Sequence, residues 1–234
     1  MNQGWGRTGR KIAGRIAVAA IFAAVALPPV PAAAQIPVPA DCRAIATVLQ
    51  ASCNATTLLD CGVSREAHTY QKGELQIVRV FTPDWKLTEF RDPGFGDMRM
   101  TAVPGTVSNT NIPALLSAGW SQESGRFTLS TRMIDNRSYV LSGYIELTGE
   151  TEFLGGVRFQ KARIHRSYET DFGAGGMEFE IDMYVSAERD LMFEAAWSRS
   201  VFGSKREYFA YTPFGLAWPG QEGFMAAESE ADCD

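Results

Sequence analysis

The chain predicts a mainly β fold: a curved antiparallel meander, as a half-barrel or partly closed barrel, with a short disulfide-linked helix near the N-terminus. Three observations predict it. From Gly73 onward, short runs of alternating apolar and polar residues follow one another, each closed by Gly, Pro, Asn or Asp. Strands joined by such short turns pair antiparallel with their sequence neighbours. Four cysteines, Cys42, Cys53, Cys61 and Cys233, stand in a chain that opens like an exported one, and an even count there reads as two disulfides.

The opening element is the export signal. Arg7, Arg10, Lys11 and Arg15 lead into the apolar run Ile16–Leu27; Pro28, Pro29 and Pro31 break it, and Ala32-Ala33-Ala34 precedes Gln35. The run is 12 residues long, whereas about 20 are needed to span a bilayer as a helix. The first cysteine after it is Cys42, behind Pro37 and Pro39, so a lipid-anchored form does not fit. The reading is therefore a signal at 1–34, removed, and one domain at 35–234, periplasmic or secreted, with no membrane anchor after cleavage. The whole chain has 22 basic and 27 acidic residues; the signal holds four basic and no acidic ones, leaving 18 against 27, a net charge of −9. An acidic balance argues against nucleic acid and against anionic lipid surfaces as partners.

Residues 35–64 read as a cysteine-bearing helical cap. Asp41 is a good N-cap, and Ile45, Val48 and Leu49 recur at helical spacing, predicting a helix over Cys42–Gln50. At 1.5 Å per residue such a helix separates Cys42 from Cys53 by about 15 Å, beyond the roughly 7 Å between Cα atoms that a disulfide tolerates. Two connectivities remain: Cys42–Cys233 with Cys53–Cys61, or Cys42–Cys61 with Cys53–Cys233. Either fastens the C-terminal tail to the N-terminal region. A zinc or redox site fits less well, because no Cys-x-x-Cys occurs and His68 and His165 are the only histidines.

The strands come next. Leu75, Ile77 and Phe81 alternate up to Pro83-Asp84, and Trp85–Arg91 and Met98–Val103 flank the turn Asp92–Asp97. Residues 104–125 break the rhythm; Ile112, Leu115, Leu116 and Trp120 suit one helical turn or a packed loop. Then follow Phe127–Ile134, the turn Asp135-Asn136-Arg137, Tyr139–Leu147, Thr151–Leu154, Val157–Glu169, a glycine-rich turn at 171–176, Met177–Val185, Leu191–Ser200 and Arg206–Thr212. The hairpin 157–185 also fixes its own register. With Ile164 opposite Ile181, Ala162 faces Met183 and Tyr168 faces Met177; on the other face Lys161 meets Tyr184, Arg163 meets Asp182 and His165 meets Glu180. A one-residue slip spoils both faces. Arg166 opposite Phe179 is the one poor fit, relieved if its stem lies over the ring.

Chemistry-bearing sets are sparse. Glu178, Glu180 and Asp182 share a strand face at roughly 6.5–7 Å spacing, too far apart to clasp one ion, and they match Arg163 and His165 as a solvated face. His165 is the only candidate general base in the sheet, and no positioned nucleophile accompanies it. Ser121 lacks the second glycine of a nucleophile elbow. Gly173–Gly176 lies between strands and precedes no helix, so it is a turn and not a phosphate cradle. No catalytic residue, metal set or cofactor motif emerges. The densest feature is a run of aromatics from Trp197 to Phe224. It fits core packing, or a concave apolar wall built from Trp197, Tyr208, Tyr211, Phe214 and Trp218.

Phe153–Phe159, Phe179–Val185, Ser186–Asp190 and Leu191-Met192-Phe193 together resemble the late meander of exported bacterial half-barrels, the class that includes periplasmic lipoprotein carriers. The resemblance covers about the last third of the chain. It implies a curved antiparallel sheet wrapped around a helix or an acyl chain, and it transfers no functional residue. The reading that follows is non-enzymatic binding of a hydrophobic small molecule or an envelope protein in the sheet's concavity. Its rivals are a hydrolase whose carboxylates converge in space, and a secreted interaction protein.

Overall fold

The computed structural model describes residues 36–108, 112–170, 176–231 and 233. The expected export signal at 1–34, the asparagines at 109 and 111 and most of the turn expected at 171–176 lie outside them. Thirteen strands form one curled antiparallel sheet. The first half runs β1 (Arg43–Gln50), β2 (Asn54–Asp60), β3 (Arg65–Gln71), β4 (Glu74–Phe81), β5 (Leu87–Asp92) and β6 (Met98–Ala102). After α1 (Ile112–Ala118) come β7 (Trp120–Ser130), β8 (Arg137–Leu154), β9 (Val157–Thr170), β10 (Gly176–Ser186), β11 (Leu191–Val201), β12 (Glu207–Phe209) and β13 (Pro213–Ala217). Each strand from β1 to β12 pairs with the next, and β13 returns to pair with β1.

The expected N-terminal helix is absent: Arg43–Gln50 is a strand, and α1 is the one helix among the described residues. Ile45, Val48 and Leu49 follow helical spacing because β1 is covered on both faces, so its apolar residues do not alternate. Buried strands and helices give the same short apolar run. The excluded pair Cys42–Cys53 is indeed not formed, but the physical reason is a hairpin. Arg43 lies opposite Asp60, which places Cys42 against Cys61; these two are bonded with Cα atoms 4.0 Å apart, and Cys53 is bonded to Cys233.

Two other expectations shift. Tyr139–Leu147 and Thr151–Leu154 are one strand, β8, with a bulge between Leu147 and Thr151. Strand β13 falls in a stretch read as following the last strand. The predicted register of β9 on β10 holds at all seven pairs named from the sequence, Arg166–Phe179 included. Helix α1 buries Ile112 and Leu115 in the core, while Trp120, grouped with them in sequence, is exposed on β7. No helix among the described residues is long and apolar enough to cross a membrane.

The curl brings the two ends of the sheet together. Gln50 on β1 donates through Nε2 to the carbonyls of Glu194 and Tyr211, at 3.5 and 3.2 Å. Trp218 Nε1 donates to Gly155 O at 3.2 Å, and a Cβ at Gly155 would lie 2.3 Å from Leu216 O, so only glycine permits that approach. The tail beyond β13 is laid against β1 and its neighbouring turns. Met225 N donates to Thr47 Oγ1, Cys53 N to Ala231 O and Gly73 N to Ala227 O. Strands β2 and β3 are consequently buried on both faces.

Candidate functional site

Inward positions along the sheet build two apolar clusters. The larger draws on β1–β4, β8–β11 and α1; the smaller gathers Met98, Met100, Phe127, Leu129, Tyr139, Leu141, Tyr168 and Met177. Between Ile164 of the larger and Tyr168 of the smaller stands Arg166, fully inside. It donates from Nε and Nη2 to the two oxygens of Glu123, at 2.7 and 3.0 Å, and from Nη1 to Glu194 Oε1 at 2.9 Å. Glu194 also ion-pairs with Arg79. Two guanidiniums and two carboxylates from β4, β7, β9 and β11 thus form a neutral buried network.

The local sequences explain the placement. Arg79 shares the inward face with Ile77 and Phe81, Glu123 with Phe127, and Arg166 with Ile164 and Tyr168. Opposite Arg166, Gly143 on β8 carries no side chain; a Cβ there would sit 2.1 Å from His165 O. Burial alone would push the Glu194 carboxyl up, but the Arg79 and Arg166 guanidiniums outweigh it and hold the carboxyl below its ordinary value. Burial works against the Arg166 charge as well, and Glu123 and Glu194 more than offset it. Sequence reasoning took Arg166 for a mismatch over Phe179 and passed over the other three. The available signal was a charge at an inward position of an otherwise apolar run, as in Ile77-Val78-Arg79-Val80-Phe81 and Leu191–Trp197.

The network leaves little space inside. One cavity of about 30 Å³ is lined by Arg79, Arg166, Glu194 and Trp197 among apolar groups, and another of about 20 Å³ lies under α1. Volumes of this size hold a water or two. The indole N–H of Trp197, which has no partner among the described residues, lines the first.

The outer face of β8–β12 is different. Two open grooves of about 320 and 250 Å³ lie there and share Glu180. The acidic row read from sequence lines them. Asp182 accepts from Arg163 at 3.2 Å, and Glu178 and Glu180 pair with Arg206 at 3.2 and 3.5 Å. His165 sits opposite Glu180 as predicted, yet its ion contact is Glu146 at 3.8 Å and its ring stacks on Tyr144 at 4.5 Å. His68 is bound to Glu66 at 2.6 Å beside the sheet's clasped half. Among the described residues the one cluster with metal-ligand types is Cys42, Cys61 and Glu66, and its sulfurs are spent in a disulfide.

The five aromatics proposed as a ligand wall do not form one surface. Trp197 is buried and stacks on Phe209 at 4.0 Å, with Tyr211 at 6.5 Å beside it. Arg199 lies over both Trp197 and Phe209, and burial pushes the Tyr211 hydroxyl up. Trp218 closes the sheet end near Gly155, with Arg189 over its ring. Tyr208 and Phe214 point to solvent, at 78% and 51% exposure. Of the five, Trp197 and Tyr208 line the larger groove.

Comparison with known protein families, curated proteins and solved structures returns no match. The likeness to lipoprotein-carrier half-barrels rests on the strand and turn pattern alone.

Proposed function

We propose that this is a non-catalytic binding protein of the periplasm or the extracellular space, which takes its ligand or envelope partner on the outer face of β8–β12. The observation that carries this reading is the distribution of space. The sheet's interior is packed around an ion network with cavities of about 20 and 30 Å³, while the outer grooves reach about 250 and 320 Å³. Small-molecule sites occupy roughly 300–1,000 Å³. An acyl chain in the concavity would have to displace Phe179, Ile181 and Trp197 from around the Arg166 network. Two disulfides and the basic-apolar-small segment at 1–34 support an oxidising compartment.

The carboxylate-hydrolase reading predicts converging acids, and Glu123 and Glu194 do converge on Arg166. Glu194 is held ionised by two guanidiniums and is a poor proton donor near neutral pH. Both acids are occupied with charge partners and serve packing.

Amide chemical-shift mapping tests the reading with three probes: neutral oligosaccharides, extended peptides and acyl lipids. Expected is a response confined to outer-face positions such as Tyr144, Ser167, Ser198 and Tyr208. An acyl lipid that instead perturbs Met100, Tyr168 and Ile181 would overturn the outer-face reading and restore an interior carrier.

A further inference from the structure

One row of outward side chains crosses five strands in unbroken register. Tyr144 on β8 lies opposite His165 on β9, His165 opposite Glu180 on β10, Glu180 opposite Ser198 on β11, and Ser198 opposite Tyr208 on β12. Four interstrand steps make the row about 19 Å long. The two open grooves lie end to end along it, joined at Glu180. Between them the Arg206 guanidinium is pinned to Ser198 Oγ at 3.1 Å, Glu178 at 3.2 Å and Glu180 at 3.5 Å.

We propose that this row binds a linear, uncharged oligosaccharide laid across the strands; the inference rests on the outer-face reading above. Its chemistry matches a sugar chain at three points. Both ends carry aromatics: the Tyr144–His165 stack, inclined at 23°, at one and the exposed Tyr208 ring at the other. The C–H face of a sugar ring packs on such surfaces, which are apolar in body and polar at the tip. The middle offers planar donors and acceptors already held rigid as the pairs Arg163–Asp182 and Arg206–Glu178, with little rotamer freedom left to lose when hydroxyls bind. The floor between them is small, formed by Ala196, Ser198 and Ser167.

The same features disfavour other occupants. Asp182 holds Arg163, and Glu178 and Glu180 share Arg206, so both guanidiniums are already paired and none is left over for an anionic ligand. Three carboxylates against two guanidiniums repel a polyanion. A lining crossed by serine hydroxyls and paired charges wastes an acyl chain. A peptide adding as a strand runs along a sheet edge, whereas this row crosses a face whose backbone groups are engaged in the ladder.

The test is calorimetric titration of the disulfide-bonded chain with neutral linear oligosaccharides of glucose, N-acetylglucosamine, mannose and galactose, from disaccharide to hexasaccharide. A disaccharide cannot reach both ends of the row. Expected is affinity that climbs with chain length for one of these series. Tyr144→Ala and Tyr208→Ala should each weaken the hexasaccharide about tenfold, the effect of about 1.4 kcal/mol of lost ring contact, and abolish the length dependence. Both variants lie on the surface, and an unchanged melting temperature separates lost binding from lost folding. Binding without length dependence, binding that both variants leave intact, or no binding by any series overturns the sugar assignment. A peptide that shifts the same amides while every sugar fails overturns it and leaves the outer-face reading standing; silence from sugars, peptides and lipids alike removes both.

Discussion

Strands β1–β4 and strands β8–β12 belong to the same sheet but treat their outer faces in opposite ways. The first group is covered on both sides. Ala55, Thr57 and Leu59 point away from the interior and are still fully buried, and the stretch after β13 is fastened to this region through Cys53–Cys233. The second group keeps its interior face apolar apart from Arg166 and Glu194 and gives its outer face to paired charges, serines and half-exposed rings. The first arrangement spends sequence on stability. The second leaves a polar surface of paired side chains, and the proposed binding site is placed there.

The largest effect is expected at the clasp. Cys53–Cys233 closes a loop of 180 residues and Cys42–Cys61 a loop of 19. Loop-closure entropy assigns the first about 5 kcal/mol and the second about 3 kcal/mol. Replacing Cys53 and Cys233 by serine should therefore lower the urea-unfolding free energy more than replacing Cys42 and Cys61. It should also raise hydrogen exchange at Thr47 and Thr57. Equal losses for the two pairs would mean that β1–β4 hold together without the tail, and the contrast between halves would fail.

The ion network ties one half to the other, since Arg79 comes from β4 and Glu194 from β11. Arg166→Met strands Glu123 inside without a partner and should cost about 3–5 kcal/mol, whereas replacing all four charges by apolar residues of similar volume should be nearly neutral. Glu194 gives this network a pH signature. Its folded carboxyl lies below the ordinary value, so its contribution is complete above about pH 4.3 and drains away as pH falls through the folded value. Burial raises Asp92 instead; its contribution is complete at lower pH and is lost as pH rises through its folded value. Glu194→Gln should flatten the acid limb of stability against pH, and Asp92→Asn should steepen it, both read by denaturant titration at a series of pH values.

A smaller loss is expected at Gly143 on β8, opposite Arg166. Gly143→Ala places a methyl group 2.1 Å from His165 O, and relieving that contact should cost about 1–3 kcal/mol, in the range of overpacking. The damage should stay local, with amide exchange rising in β8 and β9 around Arg166 and not in β1–β4. Uniform loosening would show that the halves do not have separate stabilities.

How much of this was legible in the sequence follows the same division. The open half was readable because its strands have one wet face: alternation at Met177–Val185 fixes a register that holds pair by pair. In the clasped half alternation disappears, and Arg43–Gln50 took the spacing of a helix. Strand β3, Arg65–Gln71, carries Glu66, His68 and Gln71 without a clear apolar stripe, so no pattern announced it. The quartet was missed for a related reason. Two carboxylates and two arginines scattered between positions 79 and 194 become a site only when four strands are in register. The Tyr144–Tyr208 row needed four successive pairings, of which the sequence supplied one.

The smallest expected effect carries the most weight for function. Tyr208 is 78% exposed, and its neighbours Glu180 and Ser198 keep their own partners, Arg206 in both cases. Removing its ring should therefore change unfolding free energy by no more than about 0.5 kcal/mol, the range of ordinary surface substitutions. Tyr144 is less exposed and stacks on His165, so its alanine variant should lie at the upper end of that range. A ring maintained for stability would show the reverse, a marked loss on truncation with no effect on any ligand. Singly exposed aromatics are ordinary on a protein surface, so the Tyr208 ring argues for a ligand only through the titration, and a Tyr208→Ala variant destabilised by 2 kcal/mol or so would place its covering inside the fold itself.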